Sequence, residues 1–311
     1  MKSAFEAPHL RSEEAAIAYV ESWLWPDGPI CPHCGAIGEA TKLKGKTTRP
    51  GLWKCRACRK PFTVRMRTIF ESSHVPLHVW LQAIYLICSS KKGVSSRQIQ
   101  RTLGGSMKTA WFLMHRIRHA MGDSSGTGPI GGAGKIVEAD ETFLTRSPKT
   151  RRPEGAGSRE TRQVVSLVER GGPIRSKYLD QANVRDVIWQ HLDFNSTLYT
   201  DGAVHYRRIM LEGRHASVDH SKEEWVRGDV HTNTLENFFS VFKRGLVGVY
   251  QHVDEKHLDR YLAEFDFRYN TRAKLGIDDK ARADRALVGA KGKRLTYQTT
   301  RHQEALDTPP F

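Results

Sequence analysis

Two sets of residues in this 311-residue chain have types and spacings that could do chemistry. The first is Cys31-Pro-His-Cys34 and Cys55-Arg-Ala-Cys58, two CxxC turns separated by twenty residues. Each turn presents two thiolates to one cation, and a pair of turns completes a tetrahedral four-sulfur site of the kind Zn²⁺ takes. A disulfide or redox pair is the alternative, but a redox motif needs no second matched pair, and a cytosolic chain disfavours structural disulfides. With sulfur at all four positions the site is closed, so Zn²⁺ here is expected to be structural. His33 lies inside the first turn as a bystander, and the fifth cysteine, Cys88, falls in the apolar VWLQAIYLICSS run of a buried helix.

The second set is acidic. Asp140 closes the β-like run IVEAD, and Asp201 closes TLYTD just before Gly202. At strand ends, such side chains can leave the sheet and meet a ligand. Glu236 follows Asp201 with 34 residues between them, on VHTNTLENFFSVFKRG. There Leu235, Phe238, Phe239, Phe242 and Leu246 form one apolar stripe at helical spacing, and Lys243 lies seven residues after Glu236 on the same side. Phosphodiester chemistry uses divalent metal to activate the attacking oxygen and stabilise the leaving one. Mg²⁺ or Mn²⁺ would take two or three such carboxylates and keep some water. A bland reading competes for Glu236: Asn233 could cap the helix while Glu236 reaches back to complete a capping box. Asn233 and His231 also stand near enough to rival it as ligands. Strand alternation puts Glu138 on the side of Asp140, as a spare ligand, and Glu141 on the opposite side.

The elements that must position these groups follow from the pattern. A short helix is expected within residues 1–28, then a zinc ribbon over 29–70 and a helical module over 71–121. GDSSGTGPIGGAG, residues 122–134, reads as a linker. Beyond it, strands are expected at 135–140, 162–169, 174–179, 196–201 and 215–220. Helices are expected at 183–192 and 204–211, from the Glu236 stretch onward, and at 256–270; a basic tail covers 276–311. Three strands, helix, strand, helix, strand, helix is the element order of an RNase H-like α/β domain, here assigned to 135–275.

Within the helical module, SSRQIQRTLGGSMKTAWFLMHRIRHAM reads as helix, Gly-Gly turn, helix, the layout of a helix-turn-helix. Ala110, Leu113, Met114, Ile117 and Met121 form its second helix's apolar face, which leaves Lys108, Thr109, His115, Arg116 and Arg118 outward or nearly so. An outward basic set is what a recognition helix needs in a major groove; a helical hairpin that only braces two domains would look similar. Lys plus Arg outnumber Asp plus Glu by 49 to 34, a net charge of +15 that points to a polyanionic partner, DNA above all. No apolar run is long enough to span a membrane and no signal layout opens the chain, so a cytoplasmic location is expected.

The words VEADET, LYTDG, VHTNTLENFFSVFKRG and HLDRYLAEFDFRYNTR, together with the D…D(34)E spacing and the Lys seven residues after the Glu, resemble those of DDE transposases of bacterial insertion sequences, of the ISXO type. That group also carries a zinc ribbon like CPHC…CRAC and a helical segment like SSRQIQRTLGGSMKTAWFLMHRIR. The resemblance covers residues 25–275. It implies that Asp140, Asp201 and Glu236 form a metal-binding triad and that Lys243, with Arg244 beside it, contacts DNA near the reacting phosphate. The implied activity is cleavage at the element's ends followed by strand transfer through the freed 3′-hydroxyl, by at least a dimer. Two rival classes remain: an RNase H-like nuclease or resolvase that cuts without joining, and a non-catalytic DNA-binding protein derived from a transposase.

Overall fold

The computed structural model describes residues 3–122, 126, 128–145, 161–179, 183–209 and 213–296. These form two units: one gathers the chain up to Ile87, Ser96–Ala120 and the stretch from Ala283, the other Cys88–Ser95 and Met121–Arg282.

The first unit begins with α1 (Glu13–Leu24). Ser12 caps it, its hydroxyl accepting from the Ala15 amide at 3.4 Å, and Glu13 and Glu14 in the first turn complement the helix dipole. Three short antiparallel strands follow in the order β1 (Ala40–Lys42), β2 (Trp53–Cys55), β3 (Pro61–Phe62). Glu21 of α1 accepts from Lys42 Nζ at 2.9 Å and from Trp53 Nε1 at 2.7 Å, which pins the helix to the ribbon. Next come α2 (Leu77–Ser89), α3 (Ser96–Leu103) and α4 (Met107–Met121). Gly104 and Gly105 both stand at positive φ, 83° and 81°, in the turn between α3 and α4, a conformation that favours glycine.

One expectation fails on α4. From Leu113 to Arg118 every residue is buried, so His115, Arg116 and Arg118 lie inside rather than outward. Arg116 is 6% exposed and donates to the carbonyls of Ile69, Glu71 and Leu295, each at 2.9 Å. Its guanidinium satisfies backbone that secondary structure leaves unpaired. Only the first turn, with Lys108 and Thr109, faces solvent.

In the second unit, five strands pair in the order β6 (Ile174–Tyr178), β5 (Thr161–Glu169), β4 (Ile136–Thr145), β7 (Thr197–Asp201), β8 (His215–Val218). The β6–β5–β4 pairings are antiparallel, and β4–β7–β8 are parallel. Alternation assigns the faces. Val137, Ala139, Val165, Leu167 and Leu198 pack with Val184, Val187 and Ile188 of α5 (Val184–His191). Leu144, Val164, Val168 and Ile174 pack on the other face with Leu235, Phe238, Phe239 and Phe242 of α6 (Asn233–Gly245) and with Leu258, Leu262 and Phe265 of α7 (Glu255–Asn270). The 204–211 stretch is a 3-10 turn over Val204–Arg208, and its last two residues lie outside the described ones.

Three boundaries differ from expectation. β4 runs five residues past Asp140, because ETFLT continues the same alternation. The Gly-rich stretch is docked at its end, where Ile130 is buried and bridges Leu192. Gly131 stands at φ +102°, where a Cβ would come within 2.0 Å of Ser196 Oγ, so glycine here serves close packing rather than slack. The basic tail is in part α8 (Asp279–Val288), with Ala286 and Leu287 buried.

β6 is an edge strand, and α7 closes it. Alternate β6 groups meet one face of the helix: Ile174 exchanges two hydrogen bonds with the Asn270 amide (2.7 and 3.0 Å), Ser176 donates its amide to Asp266 at 2.7 Å, and Tyr178 donates to Asp259 at 3.2 Å. The edge amides that could recruit another strand are thereby occupied. Burial pushes the Asp266 carboxyl up from its ordinary 3.8 to about 7, against the lowering effect of the Ser176 hydrogen bonds. The folded state then keeps a proton that the unfolded chain has lost, so stability should fall as pH rises from about 4 to about 7. Asp266→Asn, similar in size and unable to ionise, should flatten that decline in urea unfolding measured across the range. Parallel curves for the two proteins would mean that Asp266 stays charged when folded.

Candidate active site and metal centre

In the ribbon, tight turns bring the sulfurs together. Cys31 donates its amide to Ala36 O at 2.9 Å, Gly35 donates to Cys31 O at 2.9 Å, and Cys55 donates to Lys60 O at 3.1 Å. Cys31 and Cys58 Sγ lie 3.6 Å apart, Cys34 and Cys55 Sγ 3.7 Å, and all four fall within 4.8 Å of one another. Trp25, Trp53 and Phe62 pack around Cys31 and Cys55. His33 turns its Nε2 toward Pro61 O at 3.2 Å. Burial opposes ionisation of the Cys31 thiol, but the His33 and Cys34 amides and the neighbouring thiols outweigh it and bring it down to about 6. The Ala36 amide favours the Cys34 thiolate, yet the other three sulfurs and burial push that thiol up to about 12. Sulfurs this crowded ionise together only around a cation, and four of them fit structural zinc.

The acids meet on the α6 face of the sheet. β4 and β7 pair in parallel at Ile136↔Thr197, Val137↔Leu198 and Glu138↔Tyr199. The pairing ends there; carried two residues further, the same register sets Asp140 beside Asp201. Asp140 is mid-strand, not at a strand end as expected, whereas Asp201 does end β7. One oxygen of each acid is held by a nearby amide, Asp140 by Glu141 at 2.7 Å and Asp201 by Ala203 at 3.2 Å. Burial, then the charge of Asp201, pushes the Asp140 carboxyl up to about 8; the Glu141 amide opposes this, and the charges of Glu141 and Glu236 add to it. Asp140 therefore feels both of the other acids expected beside it.

Glu236 sits in the first turn of α6, 45% exposed, with Thr232 Oγ1 at 3.5 Å and His220 Nε2 at 3.8 Å. The capping box is not formed. Thr232 occupies the cap position without a side-chain cap bond, and Asn233 is already helical. The cap comes instead from Glu138 of β4, which accepts from the amides of Thr234 at 3.0 Å and Leu235 at 3.4 Å. Glu138 does share the face of Asp140, but it is fully buried and committed to this contact rather than spare. His231 is committed as well, its Nδ1 lying 2.9 Å from Arg170 Nη2. Lys243 and Arg244 are exposed in the last turn of α6, with Lys243 on the Glu236 side.

Sequence reasoning placed Glu141 on the opposite face but missed its partners, and it missed Trp225 altogether. Glu141, on the opposite face, accepts from the Tyr206 hydroxyl and lies 2.8 Å from His205 Nε2. Burial raises its carboxyl, with Tyr206 and His205 opposing and the charge of Asp201 adding to the rise. Trp225, 56% exposed, has its ring 4.7 Å from that of His220 beside Glu236. His205 and Tyr206, four and five residues after Asp201, were a signal for the first; only folding brings the second close.

The model of a transposase zinc-ribbon domain matches residues 11–61, and that of an ISXO2-like transposase domain matches residues 131–270. The chain is also 26% identical over 284 residues to an uncharacterized protein in transposable element ISH50 of Halobacterium salinarum, covering 85% of this chain and 93% of that protein. Among the described residues no helix is long and apolar enough to cross a membrane. The zinc assignment has a direct check: purified protein should hold one equivalent of zinc by elemental analysis, and Cys31→Ser or Cys58→Ser should lose it and lower the melting temperature. Retention of zinc by both variants would remove the site. The chain thus joins a transposase zinc-ribbon domain, which holds the four cysteines, to an ISXO2-like transposase domain.

Proposed function

We propose that this protein binds the ends of its insertion sequence, cuts there, and joins the freed 3′-hydroxyl to target DNA. The observation that carries this reading is the β4–β7 register, which sets Asp140 beside Asp201 with Glu236 close enough to perturb Asp140. The strand order, with three antiparallel strands followed by two parallel ones, supports an RNase H-like domain. The donor set is all oxygen and carries repelling negative charge, which suits a hard divalent cation, so Asp140, Asp201 and Glu236 would hold Mg²⁺ or Mn²⁺. When bound, the metal lowers the pKa of an attacking water or hydroxyl and neutralises charge on the leaving oxygen.

The protein's own part is positioning. The Glu141 and Ala203 amides orient the two aspartates, and α6 carries Glu236 to the same face. Lys243 and Arg244, two turns along α6, hold the DNA backbone by charge. Lys108 and Thr109, exposed in the first turn of α4 behind the Ser106 cap, enter a groove of the end sequence as the start of a recognition helix. Two ends must be brought together, so the working form is at least a dimer.

Labelled end DNA with Mg²⁺ and a target plasmid tests the reading. Wild-type protein should give nicked ends and joined products, and Asp140→Asn and Asp201→Asn should lose both while still binding ends. Cleavage without joining would make the protein a nuclease; binding without products in wild type would make it a DNA-binding derivative. The buried position of Arg116 gives a second test. Lys108→Ala should weaken end binding and flatten its dependence on log salt by about one unit. Arg116→Met should chiefly lower stability, because it strands the buried Ile69 carbonyl, at a cost of about 1–3 kcal/mol, and removes the donor to the half-buried Glu71 and Leu295 carbonyls. Equal effects of the two variants on the salt slope would return Arg116 to the DNA surface.

A further inference from the structure

Glu138 is 0% exposed, and a carboxylate so placed must find donors. It takes them from two directions. Thr234 gives its amide at 3.0 Å and its hydroxyl at 2.8 Å, Leu235 its amide at 3.4 Å, and Arg170 its Nε at 2.7 Å. Arg170 extends the network: Nη2 reaches His231 Nδ1 at 2.9 Å and His231 O at 3.1 Å. Its guanidinium also lies 5.0 Å from the Tyr199 ring centre, and Tyr199 is the β7 residue paired with Glu138. Arg170 is itself fixed, its amide donating to Ile136 O at 2.9 Å.

The network therefore joins the three elements that carry the candidate acids. Glu138 lies two residues before Asp140, Tyr199 two residues before Asp201, and Thr234 two residues before Glu236. A charged acceptor at the start of a 13-residue helix also draws on the helix dipole. Because Glu138 supplies the cap, Glu236 is released from the local capping role its position would otherwise give it.

We propose that Glu138, with Arg170 as its clamp, is a positioning residue that sets the height and rotation of α6 so that Glu236 meets the metal held by Asp140 and Asp201. This rests on the reading of those acids given above. Glu138 itself contacts no substrate. The two cap amides meet one oxygen, and Arg170 Nε with the Thr234 hydroxyl meets the other, so Glu138→Gln must turn its NH₂ toward either the cap amides or Arg170 and lose one of the two contacts. Thr234→Val removes only the hydroxyl contact.

The experiment is a calorimetric titration of Mn²⁺ into zinc-loaded, DNA-free protein, paired with the Mg²⁺ dependence of end cleavage. Loss of an outer-shell partner typically costs about 10–100-fold in metal affinity or activity. Glu138→Gln should weaken Mn²⁺ binding and raise the half-maximal Mg²⁺ by about 10-fold or more, with end binding unchanged. Thr234→Val should shift both in the same direction by less, and it decides the matter if Glu138→Gln does not fold. Val168→Ala, which thins the same core, should lower the melting temperature without moving either metal curve. Unmoved curves in Thr234→Val and any folded Glu138→Gln, or an equal shift in Val168→Ala, would overturn the proposal. Full cleavage by Asp201→Asn would instead overturn the reading of the acids.

Discussion

The second unit depends on one constraint, the parallel pairing of β4 with β7. Parallel strands cannot be joined by a tight turn, so the chain between them must leave the sheet and return. It does so through β5, β6 and α5. That route buries the α5 face on Val137, Ala139 and Leu198 and leaves the opposite face for α6. The same pairing fixes which acids are neighbours. A shift of one residue would turn Asp140 and Asp201 to opposite faces. The apolar residues on both sides of β4 oppose such a shift, so packing of the core and placement of the acids are one constraint.

Crowded carboxylates oppose folding. Asp140 is pushed up to about 8 because burial and three like charges disfavour its ionised form. Such an arrangement persists where the surrounding structure over-determines it. Here the surroundings are a sheet apolar on both faces, an edge strand closed by Asn270, Asp266 and Asp259, and a helix capped by Glu138. Beyond the amides of Glu141 and Ala203, the acids are held in place by groups that do not touch them.

Most elements of the second unit were legible in the sequence because their hydrophobic periods are clean. The strands at RQVVSLVE, IRSKY and TLYTD, and the α6 stripe of Leu235, Phe238, Phe239 and Phe242, formed where the pattern placed them. The four cysteines were legible from spacing alone. What failed were inferences about which side faces water. Arg116 was placed outward by a helical wheel that assumes one wet face, whereas α4 is buried on every side from Leu113 to Arg118. Asp140 was placed at a strand end because an acid in an apolar run looks like a stop, yet Thr142 and Leu144 continue the buried alternation. The role of Glu138 was not legible at all, since its partner Thr234 lies 96 residues away and no local pattern encodes that contact.

The acid and base on α6 pose a last question: what seven-residue spacing costs the helix. Glu236 lies in the first turn and Lys243 and Arg244 in the last. The N-terminus of a helix carries partial positive charge and the C-terminus partial negative charge, so acid first and base last each gain up to about 1 kcal/mol at exposed positions. The two charges the proposed chemistry needs therefore stand where the helix already favours them. The apolar stripe meanwhile anchors the opposite side through Phe238, Phe239 and Phe242. An acid and a base beside a buried stripe are thus consistent with folding before any DNA binds, and local helix physics and the proposed use of these residues select the same positions.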